Sequence, residues 1–169
     1  MDEIVKAALL KWPNVPDCRG WLALDARGDW YMRDEACQRA GDFPRPKGSV
    51  IRHDKLRDFI KRNYEPDANG AWFFQNGPQR VYVELEAAPL VLHVLDATAV
   101  EAHTGELLAP LSCWLDEAGW LYLLTTRGLG LVHSQDMDRA ADCVTSGAWQ
   151  PQEIQRAELP QRFGFVLRP

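Results

Sequence analysis

Residues 25–31 read DARGDWY, and the chain returns to the same phrase as DANGAWF at 67–73 and as DEAGWLY at 116–122. Each copy is an Asp, two residues, a Gly, then a Trp at once or within two positions, followed by further apolar or aromatic residues. Asp hydrogen-bonds its own backbone in tight turns, and Gly supplies the positive φ that a hairpin needs. Trp beside such a turn packs across the strand pair. The phrase therefore predicts hairpins, and its recurrence predicts a duplicated architecture rather than a repeated active site.

Outward from the first copy, WLALDARGDWYM (21–32) is a hairpin and SVIRHDKLRDFIKRNY (49–64) a helix. That helix carries Ile51, Leu56, Phe59 and Ile60 near one face, with His53 or Asp54 at its cap. In GAWFFQNGPQRVYVELEAAPLVLHVL (70–95) the Asn76-Gly77 pair is a hairpin signal. Val81, Val83 and Leu85 then alternate with Tyr82, Glu84 and Glu86, which predicts one buried and one solvent-facing side. Pro89 breaks this strand before Leu90–Leu95, read as the third strand of an antiparallel meander.

SCWLDEAGWLYLLTT (112–126) repeats the hairpin, and GLGLVHSQDMDRAADCV (128–144) runs from a strand into a helix. Aligning Ile51 with Val132 pairs His53 with Ser134 at the two cap positions. The tail QRFGFVLRP alternates at Phe163, Phe165 and Leu167 as a last strand would, and MDEIVKAALLKWP opens the chain with a short amphipathic helix ended by Pro13. Segments 34–48, 97–110 and 145–152 read as loose connections. The expected fold is α+β: two similar hairpin-plus-helix parts around antiparallel sheets, residues 1–96 and 97–169.

At 169 residues the chain is long enough for one sizeable core or two small subdomains. No apolar run reaches the ~20 residues that cross a bilayer. The first residues are acidic where a secretory signal would be basic, so the expected location is the cytoplasm. The four cysteines form no C-x-x-C pair, which argues against a metal site or a disulfide framework, and Cys113 and Cys143 read as core residues. The net charge of −5 argues against nucleic acid as the main partner. It conceals a basic stretch, because residues 45–62 hold seven Lys or Arg against two Asp.

Motifs for chemistry are sparse. There is no G-x-S-x-G elbow, no Walker-type loop and no H-E-x-x-H, and RGLGLVHS (127–134) offers only G-x-G. No cofactor or metal is expected, and the balance leans away from an enzyme. Arg52 stands just before the start of the predicted helix, where backbone N–H groups and the macrodipole favour an anion. Arg52, His53 and Arg80, with Trp72 as an aromatic wall, are therefore the candidate ligand-binding residues, set against the plainer reading of a solvated helix face.

The order CRGWLALDARGDWYMRD, GSVIRHDKLRDFI, GAWFFQNGPQRVYVELEAAPLVL resembles a bacterial (proteobacterial) domain-of-unknown-function family over about residues 15–95. The residues that carry the likeness include Cys18, Gly20, Trp30, Tyr31, Arg52, Gly70, Pro78, Arg80, Val81, Val83, Glu86, Ala88 and Pro89. Residues 34–47 look longer than the family's equivalent loop. The resemblance implies two small α+β parts with a repeated motif, a ligand-responsive or signalling role, and no established reaction. Together these point to a non-enzymatic regulatory module that meets a small anionic ligand or a protein partner between its halves. The rivals are a small hydrolase-like enzyme pairing His53 or His133 with a carboxylate, and a protein–protein adaptor; oligomeric state is not legible.

Overall fold

The computed structural model describes residues 1–169, and its backbone divides into two units. The first comprises Met1–Asp25, Asp29–Glu86 and Phe165–Pro169; the second comprises Ala26–Gly28 and Ala87–Gly164.

In the first unit the order is α1 (Glu3–Lys11), β1 (Cys18–Leu24), β2 (Trp30–Met32), α2 (Glu35–Ala40), β3 (Ser49–Val50), α3 (Asp54–Arg62), β4 (Tyr64–Pro66), β5 (Trp72–Asn76) and β6 (Gln79–Leu85). The strands make one sheet in the order β3-β2-β1-β6-β5-β4. Two antiparallel three-stranded meanders are thus joined by one parallel pair, β1 with β6, in which Leu22, Ala23 and Leu24 face Val83, Glu84 and Leu85. The apolar residues of α3 lie against one face, where Phe59 meets Phe74 edge-on at 5.5 Å. Tyr64 links Trp30 (5.0 Å) to Trp72 (4.7 Å) in an aromatic core. All three rings are buried, which places the motif's first two Trp in packing, as expected.

The second unit runs β7 (Leu90–Asp96), β8 (Ala99–Ala102), β9 (Leu107–Leu108), β10 (Pro110–Leu115), β11 (Leu121–Thr125) and β12 (Gly128–Val132), then α4 (Met137–Thr145), β13 (Gln152–Glu153) and α5 (Leu159–Phe163). Its sheet order is β9-β8-β7-β12-β11-β10-β13, with β7 and β12 parallel. The first six of these repeat the topology of the first sheet: two meanders joined by their first and last strands. The fold is α+β with two similar parts, as the repeated phrase predicted. The units differ in where the helix falls, between the meanders in the first (α3) and after them in the second (α4).

Three local expectations fail, each for a physical reason. Leu90–Asp96 is not the third strand of the first meander but begins the second sheet, pairing in parallel with β12. β6 already ends at Leu85, and the break that Pro89 marks just before β7 is a change of sheet. The tail is not a strand either: Leu159–Phe163 is helical with Pro160 in its first turn, and Gly164 ends it in the left-handed region at φ 66°. Residues beyond it form no strand, though Leu85 N–H donates to Leu167 O and Val166 N–H donates to Gly70 O. Finally, the loose segments 34–48 and 97–110 contain α2, whose cap Asp34 accepts from Cys37 N–H, and the short strands β8 and β9.

Candidate functional site

The repeated phrase is a carboxylate-centred turn. Asp116 Oδ1 accepts from the Ala118 and Trp120 amides at 2.9 and 2.8 Å, and Oδ2 accepts from Tyr122 Oη at 3.0 Å and Arg156 Nε at 2.8 Å. Asp67 repeats this with the amides of Asn69 and Ala71 and the hydroxyl of Tyr82. Asp25 accepts from Asp29 N–H and from Lys47 Nζ, both at 2.9 Å. The remaining meander, β7-β8-β9, also begins its first turn with Asp, since Asp96 Oδ1 takes both the amide and the hydroxyl of Thr98 at 2.8 Å. All four meanders therefore open on an Asp turn, and only three carry the Gly that made the pattern visible. Burial works to raise the Asp116 carboxyl, but the Trp120 amide, Arg156 and Tyr122 outweigh it and hold it below its ordinary value. Both oxygens of Asp67 and Asp116 are thus occupied structurally.

The predicted ligand residues are not brought together. His53 caps α3, its Nδ1 accepting from Leu56 N–H at 3.3 Å, with exposed Arg52 beside it. Trp72 is buried against Tyr64. Arg80 is exposed but faces the other way: it pairs with Gln75 in register, as Tyr82 does with Phe73, so it shares the face of Phe73 rather than that of Phe74 and α3. Tyr82 and Glu84, expected at solvent, are instead covered; Tyr82 is 4% exposed and Glu84 pairs with the buried Arg33 at 2.9 Å.

What α3 leaves uncovered is a groove of about 270 Å³ in the first unit, lined by Trp21, Leu22, Met32, Leu56, Phe74 and Val81, with Asn76 and Gln79 as its polar members. Cys18, Ile51 and Ile60 complete the wall. Trp21 (39% exposed) and Met32 (49%) are large apolar groups open to solvent here. Ile51 places Arg52 and the first turn of α3 next to this wall. The periodicity of α3 foretold that Leu56 and Ile60 would face the sheet, but nothing local showed that β1 and β6 would meet beneath them.

A second cluster lies in the second unit. His93 Nδ1 is 2.8 Å from Asp136 Oδ2, which also accepts from Val94 N–H at 3.0 Å. The His133 ring stacks on His93 at 4.6 Å and 23°. His133 Nδ1 accepts from Gln135 N–H at 3.0 Å, so the second helical segment is capped by His133 rather than by Ser134. His93 is thus an imidazole held against a carboxylate, a residue the sequence did not single out. With Asp136 ionised, its Nδ1 is the donor and Nε2 is left as a base on a ring 46% exposed. Parallel pairing of β7 with β12 brings His93 and His133 together, and no sequence spacing records that. No group of three or more His, Cys, Asp or Glu is placed to hold a metal ion.

These two features sit in a two-part α+β fold that comparison places directly. The model of a family described as a protein of unknown function (DUF2946) matches residues 1–169, and the chain belongs to that family. A solved DUF1285 family protein from Silicibacter pomeroyi DSS-3 shares 13% identity over 84% of this chain and 84% of its own, with a TM-score of 0.51. Another from Shewanella baltica OS155 shares 17% identity over 77% and 93%, with a TM-score of 0.49. The first likeness is one of fold alone. No curated protein matches the chain. The expected membership of a bacterial family of unknown function is thus met, over the full length rather than the first 95 residues. No helix is long and apolar enough to cross a membrane.

Proposed function

We propose that the chain is a binding module whose first unit takes a small amphipathic carboxylate, with occupancy of the site serving a regulatory role. The observation that carries this reading is the open groove between α3 and the sheet, apolar along most of its wall and lined by Ile51, whose chain neighbour is the exposed Arg52. A volume of about 270 Å³ suits a short acyl chain or a single substituted ring, just under the ~300 Å³ lower end of ligand pockets. The apolar body lies on Trp21, Leu56 and Phe74, and the acid meets Arg52 and the first turn of α3.

The test is calorimetric titration with decanoate and with decanol. Leu56→Glu is expected to abolish both, whereas Arg52→Ala weakens decanoate about tenfold and leaves decanol unchanged. Decanoate that fails to bind, or that binds all three proteins equally, removes the reading.

One observation favours catalysis as a second reading: His93 is held by Asp136 through Nδ1 on a side chain that is half exposed. An oriented imidazole of this kind is a general base in search of a substrate. Hydrolysis of activated esters that His93→Gln abolishes, while the fold melts unchanged, would establish it.

A further inference from the structure

On the face of the first sheet opposite α3, two arginines lie over a pair of aromatic rings. Arg19 Cζ is 4.0 Å from the centroid of Tyr82, and Arg80 Cζ is 4.4 Å from that of Phe73. The two rings pack 5.9 Å apart at 62° and are 4% and 1% exposed, covered in part by Val166 and in part by the two guanidiniums. Arg19 has only Asp17 as a carboxylate partner, at 3.8 Å, in a pair whose side chains are 51% and 41% exposed. Arg80 is exposed and rests on Phe73 with no carboxylate in ion-pair distance. Asp67 is an ionised neighbour that interacts electrostatically with Arg80, but its oxygens are taken by the Asn69 and Ala71 amides and by the Tyr82 hydroxyl, so it does not occupy the Arg80 fork.

A guanidinium stacked on a ring keeps its in-plane N–H donors free and loses little further freedom when it binds. Its planar fork matches an oxyanion in bidentate fashion. Two such forks on one rigid ring pair select a ligand with two anionic groups over a ligand with one. We propose that Arg19 and Arg80 form a site for a small dianion of the diphosphate type, one anionic group to each guanidinium. This site is on the other side of the sheet from the groove and does not depend on it.

The experiment titrates the whole chain with inorganic pyrophosphate, orthophosphate and ADP at about 0.15 M salt, where exposed charges are screened beyond ~8 Å. Pyrophosphate is expected to bind at least about tenfold more tightly than orthophosphate, and Arg19→Ala and Arg80→Ala each to weaken it about tenfold. Arg19→Lys and Arg80→Lys keep the charge and the packing stem but not the fork, and are expected to recover only part of the loss. These lysine variants also keep the test open if the alanine variants unfold. ADP bound with the same losses assigns the site to a nucleotide diphosphate; ADP bound equally by wild type and variants overturns the proposal. So does a wild type that ignores pyrophosphate, one that binds orthophosphate as tightly, or lysine variants indistinguishable from it. Leu56→Glu, which empties the groove, leaves this binding intact, so the two sites fail or stand separately.

Discussion

Arg156 closes the Asp116 turn from outside: its Nε lies 2.8 Å from Asp116 Oδ2, and its guanidinium carbon sits 4.0 Å above the Trp120 ring. The Asp116 side chain has no solvent exposure, and four donors converge on it. Asp116→Ala removes the common acceptor of two amides, a phenol and a guanidinium. It is expected to cost about 3 kcal/mol, the usual penalty for breaking a buried, charge-assisted network. Asp67→Ala, at a half-buried turn without an arginine bonded to it, is expected to cost about half as much. Urea unfolding of both variants checks the order; equal losses would mean that Arg156 contributes nothing.

The same turns set the pH limits of stability. The Asp116 and Asp67 carboxyls titrate below their ordinary value of 3.8 in the folded protein, burial being outweighed by amide and side-chain donors. Such groups stabilise the fold above the unfolded value, and that contribution is lost as pH falls through the depressed folded one. Tyr122 is displaced upward from 10.0, first by burial and then by the Asp116 charge. Its contribution is complete below pH 10 and is lost as pH rises above it. Urea midpoints across pH are expected to fall at both ends, with Tyr122→Phe flattening the alkaline limb and Asp116→Asn the acid one. A Tyr122→Phe profile that follows the wild type above pH 10 would sink this assignment.

Gly130 lies in β12 beside the parallel seam with β7, and a Cβ there would sit 2.5 Å from Leu92, a side chain with no solvent exposure. Gly130→Ala is expected to destabilise by about 1–3 kcal/mol through overpacking, although alanine is otherwise the better strand residue. Relief by Leu92→Ala in the double variant, read by the same unfolding curves, is the diagnostic result.

The thiols divide into two classes. Cys113 and Cys143 are buried, and burial pushes the Cys113 thiol up to about 11. Cys18 and Cys37 are partly exposed. Alkylation by iodoacetamide at pH 8 is expected to label Cys37 and Cys18 well before the other pair. Decanoate is expected to slow Cys18 alone, since only Cys18 lines the groove. Mass spectrometry of the labelled peptides reads both outcomes.

The repeated phrase made the hairpins legible because turn chemistry is local: Asp, Gly and the following aromatics lie within seven residues. The first cap was legible for the same reason, since His53 stands where expected, whereas the second falls to His133 rather than Ser134. Pairing between distant strands was not. Parallel partners β1–β6 and β7–β12 share no turn, so the change of sheet at Pro89 and the meeting of His93 with His133 leave no mark on sequence spacing. The tail misled because Phe163, Phe165 and Leu167 alternate across a helix end and an irregular segment, with no strand behind the pattern. Among the proposed ligand residues, Arg52 and His53 are neighbours by chain position, but the face on which Arg80 falls depends on strand register, which composition does not encode.

The parallel seams also impose an order on synthesis. Each meander is made of neighbours and pairs as it leaves the ribosome, but β1 must wait for β6 before Leu22, Ala23 and Leu24, among the most deeply buried residues of the unit, gain their partners. Until then the growing polypeptide carries its raw edge on what becomes the central strand rather than on a rim. Translation speed through residues 25–85 thus sets how long that edge stays available to wrong partners or to chaperones.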